Sequence, residues 1–217
     1  SYAFSGGTCP NPNDPLILHF RIMSQNEKIY KSITSTLQQK FTTQLLGKDY
    51  SYENNGKSIA FEPISNFLNK VIIAVDKSNP TFEGTELEEL VNIASSSVFL
   101  RALRETDVKY TPDFNELISY NKKNMSIELP DVSTSDKNLS AALGMKYGIQ
   151  MIGMCYQNYD ANLEFYEEIF ATAGYAYVLK PEALRYKEVT IPDPTPQNPA
   201  LSYANREYKS DYFEFTV

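Results

Sequence analysis

Two strand-length apolar runs, residues 15–22 (PLILHFRI) and 70–75 (KVIIAV), flank a segment in which Ile29, Ile33, Leu37, Phe41 and Leu45 recur every fourth position. Runs that are apolar at successive positions belong to strands covered on both faces. A four-residue repeat belongs to a helix with one buried stripe. A helix between two such strands implies a parallel crossover, and such crossovers are right-handed. The pattern therefore predicts a helix over 26–45 that ends at Gly47, a polar loop, and a short helical turn at Ile64, Phe67 and Leu68 before the second strand.

The same alternation continues. Residues 87–93 lead into the serine run 95–97, read as a strand end or turn, and then into a further apolar element at 98–103. From Phe114 the chain turns helical and then extended. Residues 145–185 read as a strand over 149–156, a polar loop, a short helix carrying Phe165, Ile169 and Phe170, and a strand over 175–179. That strand stops at Lys180-Pro181, because proline offers no N–H and disfavours helix in the residue before it. Residues 187–199 hold too many prolines for a central strand or helix and form an extended arm; 201–217 alternate as an edge strand or a tail laid on a neighbour.

The 217 residues suffice for one large domain or two small ones, and the net charge of −7 argues against nucleic acid and against an anionic membrane surface. Membrane contact remains open but is not supported by charge. Cys9 in a loop and Cys155 in an apolar strand fit a reducing compartment, Cys155 as a packing thiol. No signal peptide or transmembrane segment is expected, since the apolar runs are only strand-sized. Ser1 in place of Met points to processing or truncation, with further residues upstream.

GYAYVLKPEALR, Gly174 to Arg185, and the strand GIQMIG, Gly148 to Gly153, resemble the end of the catalytic barrel of eukaryotic phosphoinositide-specific phospholipase C. Tyr2-Ala3-Phe4, the run from Pro15, the run from Lys70 and the segment through Asn121, Ser126 and Pro130 stand in the same order as their counterparts in that family. The resemblance implies an α/β fold. The fold it implies is a distorted (β/α)8 barrel of TIM type, of which this chain would cover about the last six strands. Residues 1–186 would form the partial barrel, its first strands upstream or missing, and 187–217 the proline-rich arm and terminal strand.

The family cleaves inositol phospholipids with two histidines, a calcium ion held by carboxylates and an asparagine, and basic groups on the phosphates. The positions matching that machinery have changed here. Arg21 stands where the resemblance puts a calcium-binding glutamate, Ala74 and Asp76 replace two phosphate-binding lysines, and Ile127 and Leu129 replace an arginine and a tyrosine that contact inositol. His19 is the sole histidine and reads as a satisfied strand residue. Glu86, Glu88 and Glu89 read as a solvated helix start and Lys122-Lys123 as a surface pair, while Tyr156, Tyr159, Phe165 and Tyr166 read as core more readily than as the lining of a groove for a partner.

No catalytic, cofactor-binding or metal-binding residues are therefore assigned and no cofactor is expected; the enzyme question leans towards no. The phrases PNPNDPLILHFRIMS and KPEALRY are similar to phospholipase C-like proteins encoded by large nucleocytoplasmic DNA viruses. The resemblance thus implies a non-catalytic structural or interaction protein of the virion, minor capsid or capsid-associated, located there or in the infected cell's cytoplasm. Its partners would be other proteins of the assembly, reached through the C-terminal arm, and not nucleic acid. The alternative is a phospholipase C-type phosphodiesterase whose histidines precede residue 1.

Overall fold

The computed structural model describes residues 4, 6–7, 9, 11–51, 58–132, 136–196, 198, 201 and 205–217. Tyr2 and Ala3 of the first expected anchor lie outside the described residues. The chain divides into two compact units, Ser1–Tyr186 and Lys187–Val217.

The larger unit begins with β1 (Leu16–Phe20), α1 (Glu27–Lys40), β2 (Val71–Asp76) and β3 (Ile93–Ser95). It continues through β4 (Leu100–Arg104), α2 (Glu105–Lys109), α3 (Phe114–Lys123), β5 (Met125–Leu129), α4 (Ala141–Lys146), β6 (Met151–Ile152) and α5 (Ala161–Ala173). Two three-stranded sheets result, ordered β1-β2-β3 and β4-β5-β6, and every ladder in them is parallel. Both sheets turn one face to a common interior, where Ile72, Ala74 and Ile93 of the first pack in one cluster with Leu100 and Ile127 of the second. The outer face of the first sheet, Val71, Ile73 and Val75, packs with Tyr30 and Leu37 of α1. Around the second, Val108, Ala141 and Ile152 join the helices α2 and α4 to the sheet. Each fully buried Val, Leu or Ile side chain among these contributes about 1.5–3 kcal/mol relative to exposure.

The crossover from β1 through α1 to β2 forms as the pattern predicts, and Asn26 caps the helix by accepting from the Lys28 N–H at 3.1 Å. The buried stripe differs by one position. Ile29 is exposed, and Tyr30 fills the core with Thr34 and Leu37, its hydroxyl donating to the Ser24 carbonyl at 2.6 Å. Amphipathic tyrosine buries its ring while its hydroxyl finds a partner, which a count of aliphatic residues misses. The helix closes at Phe41, before Gly47.

Two expected strands are reduced. The one over 149–156 keeps only Met151–Ile152, because the Cys155 N–H goes to the Asn138 side chain and ends the ladder; Cys155 is half-buried in a loop. Residues 175–179 form no strand. The Ala176 N–H donates to the Asp14 carboxylate at 2.8 Å and the Tyr177 hydroxyl to the Pro15 carbonyl at 2.9 Å, so the segment is held by side-chain bonds instead of a ladder. The aromatic residues read as core are also displaced, with Tyr156, Tyr159 and Phe165 exposed and only Tyr166 half-buried. Within α5 the buried residue is Leu163, and Phe165, two positions on, falls on the opposite side of the helix.

In the smaller unit, β7 (Glu207–Lys209) and β8 (Glu214–Thr216) pair antiparallel in a hairpin, with Tyr208 stacked on Phe215 at 5.2 Å. The terminal residues thus pair with themselves, where the sequence pattern alone allowed an edge strand or a tail on a neighbour. Residues 187–196 carry no regular structure and are exposed.

Candidate functional site

In parallel α/β folds, chemistry sits at the C-terminal ends of the strands. Strand alternation puts Ile17 and His19 of β1, Ile72, Ala74 and Asp76 of β2, and Ile93 and Ser95 of β3 on one face. The register sets His19 beside Ala74, and Asp76 beside Ser95. Polar chemistry therefore collects only at the strand ends, above an apolar wall.

There, Arg21, one residue beyond β1, brings Nε to 3.4 Å from Asp76 Oδ2. Asp76 is buried, and its Oδ1 accepts the Ser78 N–H at 2.9 Å. His19 Nε2 lies 2.9 Å from Ser95 Oγ. Burial holds the imidazole below its ordinary pKa, and the Asp76 carboxylate only partly offsets that. His19 is accordingly neutral at pH 7 and shares a proton with a hydroxyl. Lys77 turns away to Glu83 at 2.9 Å, and Arg104 Nη1 donates to the Pro130 carbonyl at 2.8 Å.

Of the five positions singled out in the sequence, three pack together as apolar residues and two form an ion pair. Ala74 and Ile127 are buried in the shared interior cluster with Leu129 packed against it, while Arg21 and Asp76 neutralise each other. A divalent cation does not fit these residues. The one carboxylate present is committed to a guanidinium, and a fixed positive charge stands beside it. Among the described residues, no group of three or more His, Cys, Asp or Glu side chains could hold a metal ion. Of the other sequence candidates, Glu86 lies 3.7 Å from Lys31, both exposed, and Glu88 and Glu89 sit in a short 3-10 turn.

A model of the phosphatidylinositol-specific phospholipase C Y domain matches residues 74–183. The chain belongs to the phosphatidylinositol-specific phospholipase C Y-domain family. Solved structures agree at the level of fold. The crystal structure of L. pealei PLC21 superposes with a TM-score of 0.63 at 16% identity, covering 80% of this chain and 27% of that one. S. officinalis PLC21 gives 0.63 at 18% identity with the same coverage. The chain thus spans 27% of the length of these structures. None of the curated proteins matches it. No helix among the described residues is long and apolar enough to cross a membrane.

Within this Y domain the segments that carried the family resemblance meet at Asn121, at the opposite end of the strands from Arg21. Asn121 is buried; its amide donates to the Tyr147 carbonyl at 2.9 Å and accepts from Ser126 Oγ at 2.6 Å. Gln150 donates to the carbonyls of Asn121 and Asn124 and accepts the Ser126 N–H, each at 2.8 Å. Lys180 Nζ donates to the Asn121 carbonyl at 2.8 Å. These bonds tie α3, β5 and the segments before β6 and after α5 together, away from the Arg21–Asp76 pair.

Sequence reasoning missed Ser95 as the partner of His19, and Glu128. The carboxyl of Glu128 is fully buried, without a hydrogen-bond partner for either oxygen among the described residues. Its signal was present in MSIEL, a lone carboxylate in a strand covered on both faces.

Proposed function

We propose that the chain is a phospholipase C-related protein that does not cleave lipid and acts as a structural body among other proteins. In this reading the six parallel strands belong to an eight-stranded ring, and residues 187–217 form an arm that engages neighbouring subunits. The setting, a virion of a large DNA virus, rests on the sequence phrases PNPNDPLILHFRIMS and KPEALRY alone.

One observation carries the non-catalytic part. At the strand ends, Arg21 and Asp76 form an ion pair in place of a cation-binding acid and a phosphate-binding base. Phosphodiester cleavage needs positive charge directed at the phosphate and acid–base groups beside it. A guanidinium neutralised by its neighbour, over a wall made by Ala74 and Ile127, supplies neither.

Calorimetry with calcium, and release of water-soluble phosphate from phosphatidylinositol in mixed micelles, test this directly. The expected result is no saturable heat and no release, both for this chain and for one extended upstream. Cleavage by the extended chain would establish the phosphodiesterase reading instead. For the arm, removal of residues 187–217 is expected to abolish recovery with partner proteins; unchanged assembly would remove the arm from the proposal.

A further inference from the structure

At the other end of the strands, away from Arg21, the shared interior opens into a cavity of about 510 Å³. Its floor comes from the first residues of the strands, Ile17, Ile72, Met125 and the neighbouring Met151. Its far wall is the segment after α5, with Val178 and Leu179 in irregular chain and Leu184 in a short 3-10 turn. Unbranched methionine adapts to flexible apolar guests. A concave apolar site with a few convergent polar groups is the usual form of a small-molecule pocket.

The rim is not neutral. Lys122, Lys123, Lys180 and Arg185 all line the cavity, against one carboxylate, Glu62. In a chain with 20 basic and 27 acidic residues, that local excess opposes the overall charge. Lys122 and Lys123 close the last turn of α3, where a helix favours cations by itself. Lys180 and Arg185 come from a separate segment, so the helix end does not account for them.

Lys180 is half-buried, and the polar contact it makes is with a neutral acceptor, the Asn121 carbonyl. Burial pushes its ammonium down to about 8. Arg185 Nε donates to the Lys180 carbonyl, which fixes the guanidinium beside the lysine. None of the four cations is paired with a carboxylate among the described residues.

We propose that this cavity binds a single-chain anionic amphiphile, the alkyl chain lying over Ile72, Met125 and Met151 and the anion held at the rim by Lys180 and Arg185. An alkyl chain satisfies the floor, and only an anion relieves a half-buried ammonium that lacks a counter-charge. The site is independent of the strand-end mouth and of the non-catalytic reading.

The test is titration of the 217-residue chain below micellar concentrations with laurate, lauroyl-lysophosphatidate, dodecyl maltoside, acetate and inorganic phosphate. Both anionic amphiphiles are expected to bind one saturable site, and the tighter of the two identifies whether the head is carboxylate or phosphate. Dodecyl maltoside should bind about tenfold more weakly or worse, as loss of a charge-assisted bond implies. Acetate and phosphate should not bind.

K180M keeps the aliphatic stem, removes the charge, and should weaken both anionic ligands about tenfold. V178W should block all tailed ligands while its melting curve shows a folded chain. Affinity should also decline as pH rises past 8, where Lys180 loses its proton; the other titratable groups lining the cavity are Lys122, Lys123, Arg185, Tyr177, Tyr186 and Glu62. Equal affinity for dodecyl maltoside, unchanged affinity in K180M, or failure of both anionic amphiphiles to bind the folded chain would overturn the proposal. The last result would point to a polypeptide segment as the occupant.

Discussion

The carboxyl of Glu128 occupies the space that a side chain at residue 144 would need. A Cβ placed on Gly144 would run into Glu128 Oε2 and come within 3.2 Å of Ile152 Cδ1, both in the packed layer between β5 and α4. Here glycine serves close approach, not an unusual backbone angle. Overpacking a closed layer by one methyl costs about 1–3 kcal/mol. G144A should therefore melt several degrees lower, at about 2–4 °C per kcal/mol for a chain of this size. An unchanged melting temperature would mean that Glu128 has room to leave.

Glu128 also sets a pH dependence. Burial, aided by the nearby charges of Glu105 and Asp131, pushes its pKa from 4.5 up to about 7. Between those values the folded chain holds a proton that the unfolded chain has released. Stability contributed by this group is therefore full below pH 4.5 and is lost as pH rises through 7. The loss amounts to about 3 kcal/mol when the shift is converted at 1.36 kcal/mol per unit. E128Q removes the titration, so the fall in stability towards pH 8 should disappear, leaving the opposite, acid-side slope of His19 in that window and a gain over the parent at pH 8. Denaturant midpoints measured at pH 5 and pH 8 decide it, and the same decline in E128Q as in the parent would rule it out.

Asn121 is the second site where a single substitution should matter. N121A leaves Ser126 Oγ and the Tyr147 carbonyl without their bonds in a buried layer. Each unsatisfied group costs about 1–3 kcal/mol, so a total of about 2–6 kcal/mol is expected for the two. K123A, on the same helix but exposed, should stay within about 0.5 kcal/mol. Urea unfolding of the two variants compares them directly.

The fold was legible where one periodicity governs a whole element. Residues 15–22 and 70–75 form parallel strands, and the register pairs Leu16 with Val71 through Phe20 with Val75. The serine run falls at a strand end as read, and its middle member Ser96 takes a positive φ of 61° in the turn between β3 and β4. Elements failed where side chains took backbone bonds. Asn138 ended β6 by accepting from Cys155, and Asp14 held Ala176 out of any ladder. Neither event leaves a hydrophobic pattern behind, since both depend on residues about 17 and 162 positions away in the chain.

At the mouth, the sequence showed the substitutions but not their reciprocity. Arg21 and Asp76 each read as a separate loss, and only the parallel register of β1 and β2 makes them a pair. The pair is worth little by itself, because the guanidinium is half-exposed and solvent screens it. R21A should cost about 1 kcal/mol or less. R21E, which restores a carboxylate, sets it against Asp76 and should cost more than R21A without creating a calcium site. Calorimetric calcium binding by R21E would contradict this.

His19 supplies an acid-side counterpart to Glu128. Burial lowers its pKa, so in acid the unfolded chain takes up a proton that the folded chain resists. Stability from this group is present above its unfolded value of 6.5 and is lost as pH falls towards the folded one. That slope is opposite in sign to the slope from Glu128 and overlaps it near pH 6. In the E128Q background the His19 limb should stand alone, as a decline in the denaturant midpoint from pH 7 downwards. H19Q added to E128Q should flatten that limb, its amide able to keep a bond to Ser95 Oγ. A limb that survives in the double variant would have to come from other groups, and the neutral, serine-bonded imidazole would lose its support.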